Sequence, residues 1–215
     1  MMNRPTQIAQ SLLDRGAMKV SMNPPFKLTS GLLGPAYCDT RMMISFPEER
    51  EMIVDGFIEM LKERNINPDV IGGTATAGIP WAAFVAQKMK LPMVYVRPEP
   101  KAHGTGKQIE GSVKKGAKVV MVEDVFMTGG SAIKAAQAIR RELEGTVLIV
   151  LGIATHELEL AKKKFAAEDL RFEALTTIDT VLELLAKQGK ITPEEIQKVK
   201  MYREDPEGWG RKMGF

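Results

Sequence analysis

Residues 119–132, VVMVEDVFMTGGSA, place two adjacent carboxylates, Glu123 and Asp124, where an apolar run ends, and follow them with Thr128, Gly129, Gly130 and Ser131. A Thr-Gly-Gly-Ser loop leading into a helix offers backbone N–H groups at the positive end of the helix dipole, which is an anion site. Glycines in that loop can take φ > 0 and let a ligand approach the backbone closely. No Gly-Lys-Ser/Thr follows, so the loop is not a Walker A loop. Two carboxylates beside a phosphate cradle repel the phosphate unless something neutral or cationic lies between. The vicinal hydroxyls of a ribose, or a hydrated Mg²⁺, meet that need. The alternative is a plain strand end with one acid solvated and the other capping the next turn, but an apolar strand has no need of two acids there.

A second joint of the same kind is GTATAGIP, residues 73–80, where Thr74, Thr76 and Gly78 precede a helix and can bind another phosphate or a pyrophosphate. A plain tight turn reads almost as well from this stretch alone. Arg97, Lys101, His103 and Lys107 form a cationic set beside Gly104 and Gly106, suited to closing over a polyanion. His156, in ATHELE, stands where a strand should end, and a lone histidine there is most often structural.

These residues need a scaffold that brings them to one edge. Valine- and isoleucine-rich runs at 69–73, 92–97, 117–123, 146–154 and 172–177 alternate with helical patterns at 47–65, 79–90 and 131–143, the signature of an α/β fold around a mainly parallel sheet. Parallel strands put such joints at a common carboxyl edge, where α/β proteins bind ligands. Residues 98–116 have no period of 2 or 3.6 and read mostly as a long mobile loop. TPEEIQKVKMYRE, residues 192–204, carries a helix cap signal, and the glycine-rich tail 205–215 is expected to fray.

The chain of 215 residues suits one domain, and its net charge of +3 gives no ground for a nucleic-acid partner. The basic residues lie in one glycine-rich loop rather than along a helix face, which argues the same way. No apolar run is long enough to span a bilayer and the polar start lacks a signal peptide's core, so a cytoplasmic address without a membrane partner is expected. The single cysteine, Cys38, makes no intrachain disulfide and reads as a small buried hydrophobe.

VVMVEDVFMTGGS resembles the phosphoribosyl pyrophosphate (PRPP) signature of type I phosphoribosyltransferases. YVRPEPKAHGTGKQIEG, residues 95–111, is similar to the arginine, lysine and His-Gly loop of the orotate phosphoribosyltransferase family, and FKLTSGLLGPAYCDTR, residues 26–41, to that family's N-terminal element. The likeness runs in order from about residue 8 to residue 200. It implies a five-stranded parallel sheet core flanked by helices, with a small hood formed by residues 1–45 and 178–205 of a single domain spanning 1–215. It also implies transfer of phosphoribosyl from PRPP to orotate, with Mg²⁺, in pyrimidine (UMP) biosynthesis by a homodimer with shared active sites.

By position, the resemblance makes Lys101, His103 and Asp124 catalytic. It assigns PRPP to Arg97, Lys101, His103, Thr76, Ala77, Gly78 and the run Glu123, Asp124, Val125, Phe126, Met127, Thr128, Gly129, Gly130 and Ser131. Orotate falls to Phe26, Tyr37, Met127 and His156. No protein metal site is implied: Mg²⁺ comes through substrate and water, with Glu123 and Asp124 beside it. The chain departs from the family pattern at Pro98 and Thr29, where members carry lysine, at Met127, where a hydroxyl residue is usual, and at Thr155 and His156, where others carry arginine. The departures fall mostly on the base side, leaving another nucleobase, or a non-catalytic PRPP-binding regulator, as alternatives.

Overall fold

A computed structural model describes residues 2–28, 31–100 and 106–215. The chain starts with α1 (Arg4–Asp14), capped by Asn3, whose side chain accepts the Thr6 amide. Four short strands follow: β1 (Met18–Val20), β2 (Phe26–Lys27), β3 (Leu33–Gly34) and β4 (Ala36–Cys38). β1 pairs antiparallel with β4 and β2 with β3, so this segment makes two small ribbons apart from the main sheet. A 3₁₀ turn (Thr40–Ser45) leads to α2 (Pro47–Glu63), which begins with Pro47 and carries Glu48 and Glu49 in its first turn, both favourable at a helix N-terminus.

The alternating part of the chain gives β5 (Val70–Thr74), α3 (Gly78–Met89), β6 (Met93–Val96), β7 (Ile109–Glu110), β8 (Lys118–Val122), β9 (Val125–Phe126), α4 (Gly130–Leu143), β10 (Thr146–Thr155), α5 (Glu159–Ala167), β11 (Phe172–Thr177) and α6 (Ile178–Lys187). The sheet order is β11-β10-β8-β5-β6-β7. Its first five strands are mutually parallel, which is the expected five-stranded core, while β7 adds an antiparallel edge and β9 extends the pairing at the end of β10. Both faces are covered, so β5 and β8 are near-continuous apolar runs rather than alternating ones. Along β8, Val120 and Val122 face the layer holding α1, α2, α3 and α6, while Val119 and Met121 face α4.

One expectation gains detail and one changes. Residues 98–116 are not all loop: Ile109 and Glu110 pair with Val96 and Tyr95. One buried isoleucine leaves no period to read. The tail beyond α7 (Pro193–Glu204) does not fray, because α8 (Trp209–Lys212) docks there. Trp209 is buried and its indole N–H donates to the Lys198 carbonyl at 2.8 Å. Burying one such ring contributes roughly 2–3 kcal/mol, enough to anchor a polar, glycine-rich segment. No helix among the described residues is long and apolar enough to cross a membrane.

Candidate active site

Because five strands run parallel, their carboxyl ends open at one edge. Along that edge stand, in order, Thr177 of β11, Thr155 of β10, Val122 of β8, Thr74 of β5 and Val96 of β6. The two acids follow β8 and therefore sit near the middle.

Glu123 is buried. Its carboxylate accepts the Ser131 hydroxyl at 2.9 Å and the Asp124 amide at 3.1 Å. Burial, reinforced by the Asp124 charge, pushes its pKa up to about 8. The Asp124 carboxylate accepts the Thr40 hydroxyl at 3.1 Å, and its carbonyl accepts the Ile153 amide at 2.8 Å, which fastens the acid loop to β10. Thr40 is fully buried, 84 residues from its partner, and no local pattern marks it.

After the acids, the Phe126 ring turns into the core, edge-on to Phe165 and Phe172 with centroids 5.6 and 5.2 Å away. The ring therefore packs in the core rather than lining the site, while the backbone at 126 pairs with Thr155 of β10. Gly129 has φ +75, and a Cβ there would collide with the Phe165 ring, so conformation and space both require glycine. Gly129 is also the N-cap of α4, whose first ladder bond runs from the Ile133 amide to the Gly129 carbonyl at 3.0 Å. By helix geometry the N–H groups of residues 130–132 are left for an anion. Thr128 is exposed beside them.

The β5–α3 joint is pressed against the acid strand: a Cβ on Gly78 would strike the Val122 carbonyl oxygen and come within 3.3 Å of the Glu123 Cα. The Ala75–Thr76 peptide is cis. A cavity of about 320 Å³ brings Thr74 and Ala75 together with Arg97 and with Gly130, Ser131 and Lys134. The Thr74 hydroxyl is buried there without a partner among the described residues. Lys134, one turn into α4, is a cavity residue that the motif did not point to.

Arg97 is set by Gln108. The Arg97 amide donates to the Gln108 carbonyl at 3.0 Å, and the Gln108 side-chain amide donates back to the Arg97 and Pro98 carbonyls at 2.7 and 3.2 Å. Glu142 near the end of α4 accepts the Gln108 and Ile109 backbone amides, and Arg141 donates to the Gln108 side chain at 3.0 Å. The Arg97 guanidinium lies 3.7 Å from Glu110. Lys107 is described and exposed; Lys101, His103, Thr29 and Ser30 lie outside the described residues.

On the other flank of the acids, His156 is buried and its amide donates to the Phe126 carbonyl at 3.0 Å. Burial drops its pKa to about 4, so at neutral pH the ring is an uncharged hydrogen-bonding group. Met127 is half-buried and packs on the main core. Phe26 and Tyr37 form a tilted ring pair with centroids 5.8 Å apart, and Tyr37 is exposed. Asp39 takes a two-point bond from Arg41 at 2.6 and 2.9 Å. Burial, with Asp124 and Asp39 nearby, pushes the Cys38 thiol up, so it stays protonated. Among the described residues, no group of three or more His, Cys, Asp or Glu side chains gathers as a metal site.

A family model described as phosphoribosyl transferase domain matches residues 46–167. An orotate phosphoribosyltransferase of Coxiella burnetii is 40% identical over 208 residues, 97% of this chain and 99% of that protein. One from Bacillus cereus is 44% identical over 205 residues, 94% of this chain and 97% of that protein. The crystal structure of orotate phosphoribosyltransferase from Aeropyrum pernix is similar with a TM-score of 0.73 and 34% identity, covering 83% of this chain and 98% of that one. With strand–turn–helix joints after β5 and before α4 beside the paired acids that follow β8, and with relatives that match nearly end to end, the chain belongs to the orotate phosphoribosyltransferase family.

Proposed function

We propose that this chain transfers the phosphoribosyl group of PRPP to N1 of orotate, giving orotidine 5′-monophosphate and pyrophosphate, in pyrimidine (UMP) biosynthesis. The observation that carries the reading is the cavity joining Thr74–Ala75, Arg97 and the start of α4, whose lining residue Ser131 donates to Glu123. It supplies two anion sites with hydroxyl-accepting acids between them, which is the layout of a ribose carrying a phosphate at each end.

In this reading the α4 N-terminus with Thr128 and Ser131 holds the 5′-phosphate, and Glu123 and Asp124 accept from the ribose hydroxyls. Thr76, Ala77 and Gly78 hold pyrophosphate together with Arg97. Lys101 and His103 cover the pyrophosphate from the partner subunit of a homodimer. The C1–O bond breaks with oxocarbenium-like character, so cations and N–H groups already aimed at the leaving oxygens lower the barrier. The oxygen-only donor set at 123 and 124 suits a hard cation, and two carboxylates are too few to hold one alone, so Mg²⁺ would arrive with the substrate's oxygens and water. When bound, Mg²⁺ neutralises charge on the departing pyrophosphate. The test is spectrophotometric: in the presence of PRPP and Mg²⁺ the protein should consume orotate, and not adenine, guanine, hypoxanthine or uracil. Consumption of one of those bases instead would replace orotate as the acceptor.

A further inference from the structure

We infer that the C-terminal helices position the acceptor: Arg203 on α7 and Trp209 on α8 hold the two walls between which the base lies, and so govern acceptor affinity rather than donor affinity. This rests on the proposed reaction. An acceptor attacking C1 approaches opposite the leaving group. The pyrophosphate cradle occupies the β5 and β6 side of the acids, which leaves the ends of β10 and β11, and the ribbons tied to Asp124 through Thr40, for the base.

The first wall is the turn after β10. Glu157, next to buried His156, has φ +53, a conformation that L side chains rarely adopt and that must be held from outside. Its amide donates to the Thr155 hydroxyl at 3.0 Å and its carboxylate accepts the Asp179 amide at 3.3 Å. Arg203, its side chain only 17% exposed, donates to the Asp179 carboxylate at 2.7 Å and lies 3.7 Å from Glu157. One guanidinium thus keeps two carboxylates together at the strand ends; without it they repel and the turn beside His156 loosens.

The second wall is the ribbon bearing Phe26. Tyr202 and Trp209 are both buried and meet edge-on with centroids 5.8 Å apart. The Tyr202 ring leaves no spare room over Gly34, where a Cβ would stand 3.3 Å from it, and α8 lies along β3 with Gly210 over Leu33. β3 pairs with β2, whose Phe26 meets Tyr37. Adjacent residues of α7, Tyr202 and Arg203, therefore reach one wall each.

The experiment is steady-state kinetics of the full-length enzyme with Mg²⁺, PRPP and orotate, alongside thermal melts. Arg203→Ala should raise KM for orotate ~10-fold or more while KM for PRPP stays within about 2-fold, and Arg203→Lys should recover part of the loss. Trp209→Phe, chosen because Trp209→Ala risks misfolding, should raise KM for orotate by roughly 3-fold with the same selectivity. A merely structural role would lower the melting temperature without separating the two KM values. Unchanged KM values, or both rising together, would overturn the inference. A folded wild-type enzyme that consumes no orotate would overturn the proposed reaction and this inference with it.

Discussion

The flank of the sheet edge formed by β5, β6 and α4 differs in construction from the flank formed by β10, β11 and the chain ends. The first is made of strand–turn–helix joints, each within a few residues: Thr74 to Gly78 before α3, and Thr128 to Ser131 before α4. The second is made of distant contacts, such as Thr40 on Asp124, Tyr202 over Gly34 and Arg203 on Asp179. An anion can be held by backbone N–H groups at a helix start, which demands glycine and hydroxyl residues at fixed offsets. A planar base needs walls of the right shape, and many side-chain sets can build them.

Three perturbations set the flanks against each other. On the proposed reading, in which Lys101 covers pyrophosphate, Lys101→Ala should cut turnover by ~10² or more at saturating orotate; unchanged turnover would remove Lys101 from the mechanism. Gln108→Ala takes away the side chain that holds the Arg97 and Pro98 carbonyls and the Arg141 guanidinium, at a cost of about 0.5–1.5 kcal/mol for each bond lost. Its KM for PRPP should rise ~10-fold with KM for orotate unmoved, and an equal rise in both would blur the division between flanks. Thr40→Val deletes one bond to Asp124 at the boundary, so kcat/KM should fall about 5-fold for either substrate varied; an effect on PRPP alone would place Thr40 with the first flank.

The smallest effect is on stability. Folding raises Glu123 from the ordinary 4.5 to about 8, so the native state holds an extra proton between those values. That contribution is full below pH 4.5 and is lost as pH rises towards 8. Melts of the ligand-free protein at pH 6.5–8 should fall by a few degrees more than those of Glu123→Gln. His156, lowered from 6.5 to about 4, contributes the opposite slope below pH 6.5 and is common to both proteins. Parallel curves would mean that Glu123 is not held protonated.

The parallel core was legible because β5, β8 and β10 are unbroken apolar runs between turn residues, and the first flank because glycines in its joints are obligatory. At Gly129 the backbone has φ +75 and Phe165 fills the space, so the motif records geometry directly. Phe126 sits inside the same motif yet serves the core, which a linear pattern cannot separate from a site residue. Thr40, Gln108, Glu142 and Lys134 escaped notice because their roles arise from contacts across the fold. α8 escaped for a related reason: in a tail rich in glycine and charge, one tryptophan supplies the anchoring, and composition averages it away.

The measurement that bears most directly on the account follows pyrophosphate release and orotate loss together, in one solution of folded enzyme with PRPP and Mg²⁺, as orotate is raised from zero. The account predicts equal amounts of both, with no pyrophosphate until orotate is added. Pyrophosphate released at the same rate without orotate, or none released at any orotate concentration, would contradict it.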